Sequence, residues 1–271
     1  EIVAEKGLAY IRGLQDAGVI ATAKHFPGHG DTDTDSHYTL PVVRHSEAHL
    51  DSIELFPFRE AIEHGVAGVM VAHLYVPAID SSGNRATSLS RPAVEGWLRD
   101  SLAFAGLAVT DALDMKGVTK YFRPGDIELM AFRAGNDILL LPLDVPGAIS
   151  RIREAVAGGL VDSSEVARRC KKILEYKYDT GAGQEDVPVQ AITKDLNSGE
   201  NQLLKRQIFE KAVTLLKNEH DLIPLKELDA LKIAAVSIGK EKNSMFSDRL
   251  GMYAPIEKFS LASVPSKAEI N

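Results

Sequence analysis

Residues 24–37 bring together side chains that can carry acid, base or metal chemistry. The segment reads Lys-His-Phe-Pro-Gly-His-Gly-Asp-Thr-Asp-Thr-Asp-Ser-His, so three histidines and three aspartates fall within fourteen residues. Alternating carboxylates suggest a calcium loop, whereas histidines suggest a transition metal. A serine beside a histidine also raises the question of nucleophilic catalysis.

The spacing argues against the metal and the serine alternatives. Counted from Asp31, the sixth position is Ser36 where a calcium loop has glycine, and the twelfth is Val42 where it has glutamate. The chain has no His-Glu-x-x-His motif, and Ser36 lies in no Gly-x-Ser-x-Gly elbow. We therefore expect no metal and no cofactor, with a metallohydrolase as an alternative that loss of activity in EDTA would reveal.

Short apolar strands that alternate with amphipathic helices must position these residues. Strands are predicted over residues 19–23, 66–72, 107–110 and 137–141. Helices are predicted over residues 47–63, from Ser90 as N-cap and Pro92 to about 104, 127–133, 148–158 and 164–176. Four such strand–helix units indicate a parallel sheet that is covered on both faces.

The residues that follow these strands are the ones to inspect, because active sites of parallel βα folds lie at the carboxyl ends of the strands. The first strand leads to Lys24 and His25, the second to His73 and the third to Asp111. Any one of them can be a loop cap, but three at one edge favour a functional site. His73 is a candidate for lining the pocket, with a core or capping role as the alternative.

Length and composition limit the function classes. The 271 residues allow two domains or one large barrel, and 45% apolar with 25% charged residues is normal for a globular protein. A net charge of −7 without a run of Lys or Arg argues against nucleic acid or anionic lipid as the main partner. A single cysteine excludes an internal disulfide, and no apolar run reaches the roughly 18 residues of a membrane span.

The second part of the chain has a different pattern. Residues 177–200 are rich in glycine and polar residues without periodicity, which predicts a domain boundary. A helix over 201–216 and a strand over 231–238 follow, and then a tail with little pattern.

Several of these motifs together resemble a known enzyme family. Lys24 to Gly30, followed by Asp35-Ser36-His37 and Pro41, resembles the signature of family 3 glycoside hydrolases of the bacterial β-N-acetylglucosaminidase branch. The resemblance extends to about residue 180 through the motifs at 71–73, 88–90, 109–115 and 134–137. Beyond the linker, residues 212–218 and 223–225 are similar to the entry of that family's second domain.

The resemblance implies an α/β fold. We expect the C-terminal half of a (β/α)8 TIM-type barrel over residues 1–180, a linker over 181–200, and the beginning of an incomplete α/β sandwich domain over 201–271. The family's barrel has eight βα units and only four are predicted here, so upstream residues or another chain would supply the first half. The arginine and aspartate that the family places on earlier strands have no counterpart in this sequence.

The resemblance also implies roles for individual residues. Asp111 corresponds to the family's nucleophile, His37 to its acid/base, and Asp35 to the partner of that histidine. Lys24 and His25 correspond to its sugar-binding pair.

The implied function is that of a retaining exo-β-N-acetylglucosaminidase acting on GlcNAc-terminated muropeptides or related glycans. An imidazole, with an ordinary pKa near 6.5, can give and take a proton near neutral pH. A neutral base also repels an anion less than a carboxylate does, so phosphorolysis is kept as a variant. A carbohydrate-binding half-barrel without turnover is the alternative from another class, and a nitrophenyl-GlcNAc assay separates the two. The resemblance favours a bacterial periplasm or cell envelope over the cytoplasm.

Overall fold

A computed structural model describes residues 1–32, 39–83, 85–183, 190–239 and 244–264. Its contacts divide the chain into two units, Glu1–Val187 and Pro188–Asn271. None of the helices within those described ranges combines the length and the apolar character needed to cross a membrane.

The first unit alternates parallel strands with helices. Its strands are β1 (Thr22–Phe26), β2 (Gly68–Val71) and β3 (Leu107–Thr110). Its α-helices are α1 (Ile2–Asp16), α2 (Glu47–His49), α3 (Phe56–Glu63), α4 (Lys116–Thr119), α5 (Asp126–Ala134), α6 (Val145–Ala157) and α7 (Ser163–Asp179). Two π-helical segments, Leu50–Glu54 and Pro92–Ser101, and a 3-10 turn, Thr87–Leu89, complete the unit.

The three strands form one parallel sheet in the order β1-β2-β3. Thr22 pairs with Gly68, and Gly68 pairs in turn with Leu107, so all three strands begin at the same level. This is the parallel α/β arrangement that the alternation of apolar strands and helices predicts.

The first strand lies three residues later than predicted. Helix α1, which is not among the predicted elements, ends at Asp16, and the Val19 amide donates to the Leu14 carbonyl at 2.9 Å. This bond commits Val19 to the turn that closes α1. The strand therefore begins at Thr22 and includes Lys24 and His25, which were expected to follow it.

The predicted fourth strand, 137–141, is reduced to a single parallel bridge between Ile138 and Val109. The Thr110 amide donates to the Ile138 carbonyl at 3.0 Å, as in a regular ladder. The Leu140 amide, however, bonds to the Thr110 hydroxyl at 2.9 Å and not to a main-chain carbonyl. A side chain thus takes the place of a ladder partner, and regular pairing stops.

The start of the helix after the loop at 77–84 agrees with its sequence signals. Pro92 stands in the first turn of the π helix, and the Ser90 hydroxyl accepts from the Ala93 amide at 3.4 Å. Ser90 also donates to the buried Asp80 carboxylate at 2.6 Å, which anchors the loop to the helix start.

The main hydrophobic core packs between the sheet and its helices. The Phe26 and Phe58 rings meet edge to face with centroids 5.5 Å apart, and Leu98 is completely buried. Other members of this cluster are Leu55, Val66, Val69, Val71, Val94 and Phe104. Phe26, the last residue of β1, therefore anchors the carboxyl end of that strand in the hydrophobic core.

The second unit has its own small parallel sheet. It contains α8 (Ile192–Leu196), α9 (Gly199–Ala212), the 3-10 turn Glu219–Asp221, β4 (Ile233–Ile238), α10 (Met245–Leu250) and β5 (Ile256–Leu261). Strands β4 and β5 pair along six residues. Helix α8 lies in the segment predicted as linker, and β5 lies in the tail for which no element was predicted.

Leu98→Ala should lower the free energy of unfolding of the first unit by about 2–5 kcal/mol, because it removes a fully buried side chain from a packed core. Leu174→Ala on α7 is the matched control. That leucine is 58% exposed, so its loss should change stability by no more than about 0.5 kcal/mol. Urea unfolding of the protein in its full natural length measures both, and equal losses would contradict the assignment of Leu98 to the core.

Candidate functional site

The carboxyl edge of the three-stranded sheet gathers the residues predicted to do chemistry. Main-chain bonds continue the sheet past the strand ends: the Ala72 amide donates to the Phe26 carbonyl, and the Asp111 amide to the Val71 carbonyl, both at 2.9 Å. These bonds fix the backbone where β2 leads into His73 and β3 leads into Asp111. We call this region, with His25, His73 and Asp111, the carboxyl edge.

Asp111 is held with one carboxylate oxygen bonded and the other directed to a histidine. Its Oδ1 accepts from the Ala112 amide at 2.9 Å. Its Oδ2 lies 3.9 Å from Nε2 of His25, and the Asp111 side chain is 14% exposed. A carboxylate that is fixed by its own turn and still accessible is suited to act as a nucleophile.

The surroundings of His25 keep its imidazole in the neutral form. Partial burial is the main cause that lowers its pKa, and the charge of Asp111 opposes this shift. The charges of Lys24 and His29 lower the pKa of His25 further. The lowered pKa favours the neutral form of the His25 ring, whose Nε2 lies beyond direct hydrogen-bond distance of the Asp111 carboxylate.

His73 lies beneath the turn that carries Asp111. It is completely buried, and its Nε2 lies 2.8 Å from the Ala112 carbonyl, which can only accept. Nε2 must therefore carry the proton, and Nδ1 accepts from the Ser88 hydroxyl at 2.7 Å. Since both ring nitrogens are engaged by protein groups, this geometry favours positioning of the Asp111–Ala112 turn over direct contact with a sugar.

Ser88 is a member of this site to which the sequence assigned no role. Its hydroxyl fixes His73, and its carbonyl accepts from the Asn136 side-chain amide at 2.8 Å. Ser88 is fifteen residues away from His73 along an irregular segment, so no periodic pattern connects the two. The one available signal is that both residues belong to motifs that carry the family resemblance.

The loop after β1 is described up to residue 32 and again from residue 39. Asp35 and His37, the predicted acid/base pair, lie outside the described residues. At the beginning of the loop, the His25 and His29 rings meet edge to face at 5.8 Å, and Thr32 contacts His29 Nδ1 at 3.0 Å. Lys24 is exposed on β1.

Further along, three possible metal ligands lie together. His45, His49 and Glu54 each offer one atom, and these atoms are all within 4.8 Å of one another. Spacing within residues 24–37 could not reveal this group, because its members lie beyond that segment, between His45 and the end of the π-helical turn at Glu54.

Comparison with known proteins connects the chain to one family. The model of the glycosyl hydrolase family 3 N-terminal domain matches residues 1–176. Beta-hexosaminidase A of Pseudoalteromonas piscicida is 31% identical over 245 residues, which are 83% of this chain and 40% of that protein. A beta-hexosaminidase of Nitrosospira multiformis is 35% identical over 141 residues, which are 52% of this chain and 40% of that protein.

A solved structure agrees with these sequence matches. The family 3 beta-N-acetylglucosaminidase of a Paenibacillus species matches 98% of this chain and 53% of its own, with a TM-score of 0.82 and 30% identity. The family resemblance and the barrel-type α/β fold predicted from the motifs are thereby confirmed. The chain spans about 40% of the length of the curated relatives described here.

The protonation of His73 provides a test of the site's interior. Because burial lowers its pKa, the folded protein binds fewer protons at this ring than the unfolded chain does. The contribution of His73 to stability is therefore complete above the unfolded pKa of about 6.5 and declines as the pH falls below it. In nitrogen-15 NMR spectra of the imidazole at pH 6.5, His73 should be neutral with its proton on Nε2. A ring that is half protonated at this pH would contradict the buried, doubly bonded geometry.

Proposed function

The chain belongs to glycosyl hydrolase family 3, and from this membership we propose that it contributes the catalytic edge of a retaining exo-β-N-acetylglucosaminidase. The enzyme would remove terminal GlcNAc from muropeptides or related glycans through a covalent glycosyl-enzyme intermediate. The observation that carries this proposal is the position of Asp111 at the end of β3, with Oδ2 at 3.9 Å from His25. The names of the related hexosaminidases support the choice of sugar.

Asp111 is the nucleophile in this proposal. Its carboxylate attacks the anomeric carbon while the bond to the leaving oxygen breaks, and His37 gives that oxygen its proton. Water then attacks the same carbon, His37 takes the proton of the water, and the Asp111 carboxylate is released. Two inversions at one carbon retain the β configuration, as in glycosidases that use a carboxylate nucleophile.

The remaining residues support these two steps. Asp35 orients the His37 ring and stabilises the charge that the ring gains when it accepts a proton. Neutral His25, beside Asp111, and Lys24 bind hydroxyl groups of the sugar. His73 holds the turn of Asp111 in place from below through the Ala112 carbonyl.

The domain boundaries belong to the same proposal. Residues 1–180 are the second half of the catalytic barrel, 181–200 the linker, and 201–271 the beginning of an α/β sandwich domain. In the part of the chain that the structure describes, β1 pairs on one side only, with β2. Such an edge is where the earlier strands of a (β/α)8 barrel would continue the sheet.

Asp111→Asn should remove nearly all turnover of nitrophenyl-GlcNAc, on the order of 10³-fold or more, because an amide is a poor nucleophile. A 2-fluoro sugar should label Asp111 in the wild-type protein of full natural length, and peptide mass spectrometry locates the label. Asp114→Asn is the matched control, since Asp114 is exposed three residues away and should keep its activity. Label on another carboxylate would refute the assignment.

His37→Ala should slow hydrolysis by roughly 10²- to 10⁴-fold for sugars whose leaving group needs a proton. An activated aryl glycoside, whose leaving group departs without protonation, should still glycosylate Asp111, and azide should then restore turnover as a β-glycosyl azide. Asp35→Ala should have a weaker effect of the same kind.

His64→Ala removes an exposed histidine at the C-cap of α3, where its Nδ1 bonds to the Glu60 carbonyl, and it should leave both rates unchanged. Equal slowing of the two substrates by His37→Ala, without azide rescue, would make His37 a structural residue. Product analysis in phosphate buffer distinguishes hydrolysis from phosphorolysis. If the wild-type protein of full natural length shows no turnover, sugar binding is the function that remains.

A further inference from the structure

Three side chains with metal-ligand chemistry meet where the loop after β1 returns to the helical layer. We call His45, His49 and Glu54 the loop-base cluster, and Asp31 contacts it through His45. Nε2 of His45 lies 2.7 Å from Asp31 Oδ2 and 3.9 Å from Glu54 Oε1. Nε2 of His49 lies 3.3 Å from the same Glu54 oxygen, and the two imidazole rings stack with centroids 4.0 Å apart.

The separations from Glu54 to the two histidines approach those in the coordination sphere of a small divalent ion, and the stacked imidazole rings would turn so that both Nε2 atoms reach that ion. Tetrahedral zinc with bonds of about 2.0–2.1 Å places neighbouring ligand atoms roughly 3.3 Å apart. The distance from His49 to Glu54 already has this value, and that from His45 to Glu54 is 0.6 Å longer, as 3.9 Å exceeds 3.3 Å. The shorter distance from Asp31 to His45 is that of a hydrogen bond, in which a bound ion would replace the shared proton.

Glu54 provides the second, independent observation. Its side chain is only 11% exposed, and its Oε2 is buried without a hydrogen-bond partner among the described residues. An unpaired oxygen on a buried carboxylate is costly, so a cation is the group that best completes its surroundings.

The backbone around Glu54 fixes its side chain in this position. Gly28 has a φ of +140°, and a Cβ at that position would lie 2.7 Å from Glu54 Cβ. Only glycine lets the Phe-Pro-Gly turn pass this closely over the glutamate stem. The carboxylate is therefore held toward the two histidines.

We propose that the loop-base cluster binds a divalent transition-metal ion of the zinc type. Two imidazoles and one carboxylate form a mixed nitrogen and oxygen set that suits zinc, whereas calcium and magnesium prefer oxygen alone. The site is separate from Asp111, and its existence does not depend on the proposed hydrolysis.

The position of the cluster in the sequence gives the ion a structural role. Asp31 precedes and His45 follows the segment that contains Asp35 and His37. An ion bound to His45, His49 and Glu54 would hold the C-terminal end of that segment next to α3, and Asp31 contacts the same end through His45. It would thereby restrain one end of the loop that carries the proposed acid/base.

Zinc binding by the protein in its full natural length tests the proposal directly. After removal of metals, wild-type protein should bind one zinc ion at this site, measured by calorimetry, and zinc should raise its melting temperature. His49→Ala and Glu54→Gln should each weaken this binding by roughly 10²-fold or more, since loss of even an outer-sphere partner costs about 10- to 100-fold. Cobalt bound in place of zinc should give the visible absorption of a tetrahedral site in wild type and not in these two variants.

His64→Ala is the matched control, because this exposed histidine bonds to the Glu60 carbonyl and should bind zinc as wild type does. His49→Ala is the variant that folding should tolerate best, because the His49 side chain is 39% exposed. Unchanged zinc affinity in His49→Ala and Glu54→Gln would overturn the proposal. Loss of the zinc site in Asp111→Asn, with retention in Glu54→Gln, would place the ion at the carboxyl edge and also overturn it. All of these measurements are independent of turnover, so failure of the hydrolysis proposal would not affect them.

Discussion

Two main-chain hydrogen bonds past the strand ends determine the geometry of the carboxyl edge. The bonds from Ala72 to Phe26 and from Asp111 to Val71, each 2.9 Å long, keep the parallel register for one residue beyond the strands. In a parallel sheet a slip by one residue would turn each of these side chains to the other face. The approach of Asp111 to His25 and the position of His73 below the turn both depend on this register.

The opposite end of β3 is fixed by charge. The buried Asp137 carboxylate accepts from the Ala108 amide at 2.9 Å and pairs with Arg99 at 2.6 Å and Lys172 at 3.3 Å. Arg99 also donates to the Gly106 carbonyl, just before the strand begins. A buried carboxylate with several donors resists removal of any one of them, because the remaining charge would be left unpaired. Strand β3 is thus anchored at its start by Asp137 and at its end by the turn of Asp111.

Local sequence patterns predicted those parts of the fold in which local and tertiary preferences agree. Strand β3 occupies the predicted residues because Leu107–Thr110 is apolar, short and bounded by glycine and aspartate. Strand β1 was misplaced because Val19 is as apolar as a strand residue but completes the turn after α1. Strand β5 was missed because Ile256–Leu261 contains Glu257, Lys258 and Ser260 and so lacks the continuous apolar run by which the other strands were predicted.

The candidate site divides in the same way. The family motifs indicated Asp111 and His25. Both residues lie at the carboxyl end of a strand, so the strand alone is enough to place them at the site. The bonds from His73 to Ser88 and Ala112 join segments far apart in sequence, so no pattern could indicate that both ring nitrogens are occupied. The expectation of no metal rested on calcium-loop and zinc-protease spacings. Those spacings do not include a set such as His45, His49 and Glu54, which forms only when the loop returns to the helix.

The proposed catalytic groups have different mechanical requirements, and the fold treats them differently. A nucleophile attacks one carbon along one line, which suits Asp111 on a strand end fixed by main-chain bonds at both ends. An acid/base must serve the leaving oxygen in one step and a water molecule in the next, which suits a residue on a loop. The ends of such a loop must be fixed if its histidine is to reach the same sugar in both steps. The polar contact between Asp31 and His45, and the packing of Gly28 against Glu54, fix the chain on both sides of the segment that carries His37. Restraint on both sides of that segment suits a single histidine that serves the same sugar in both proton transfers.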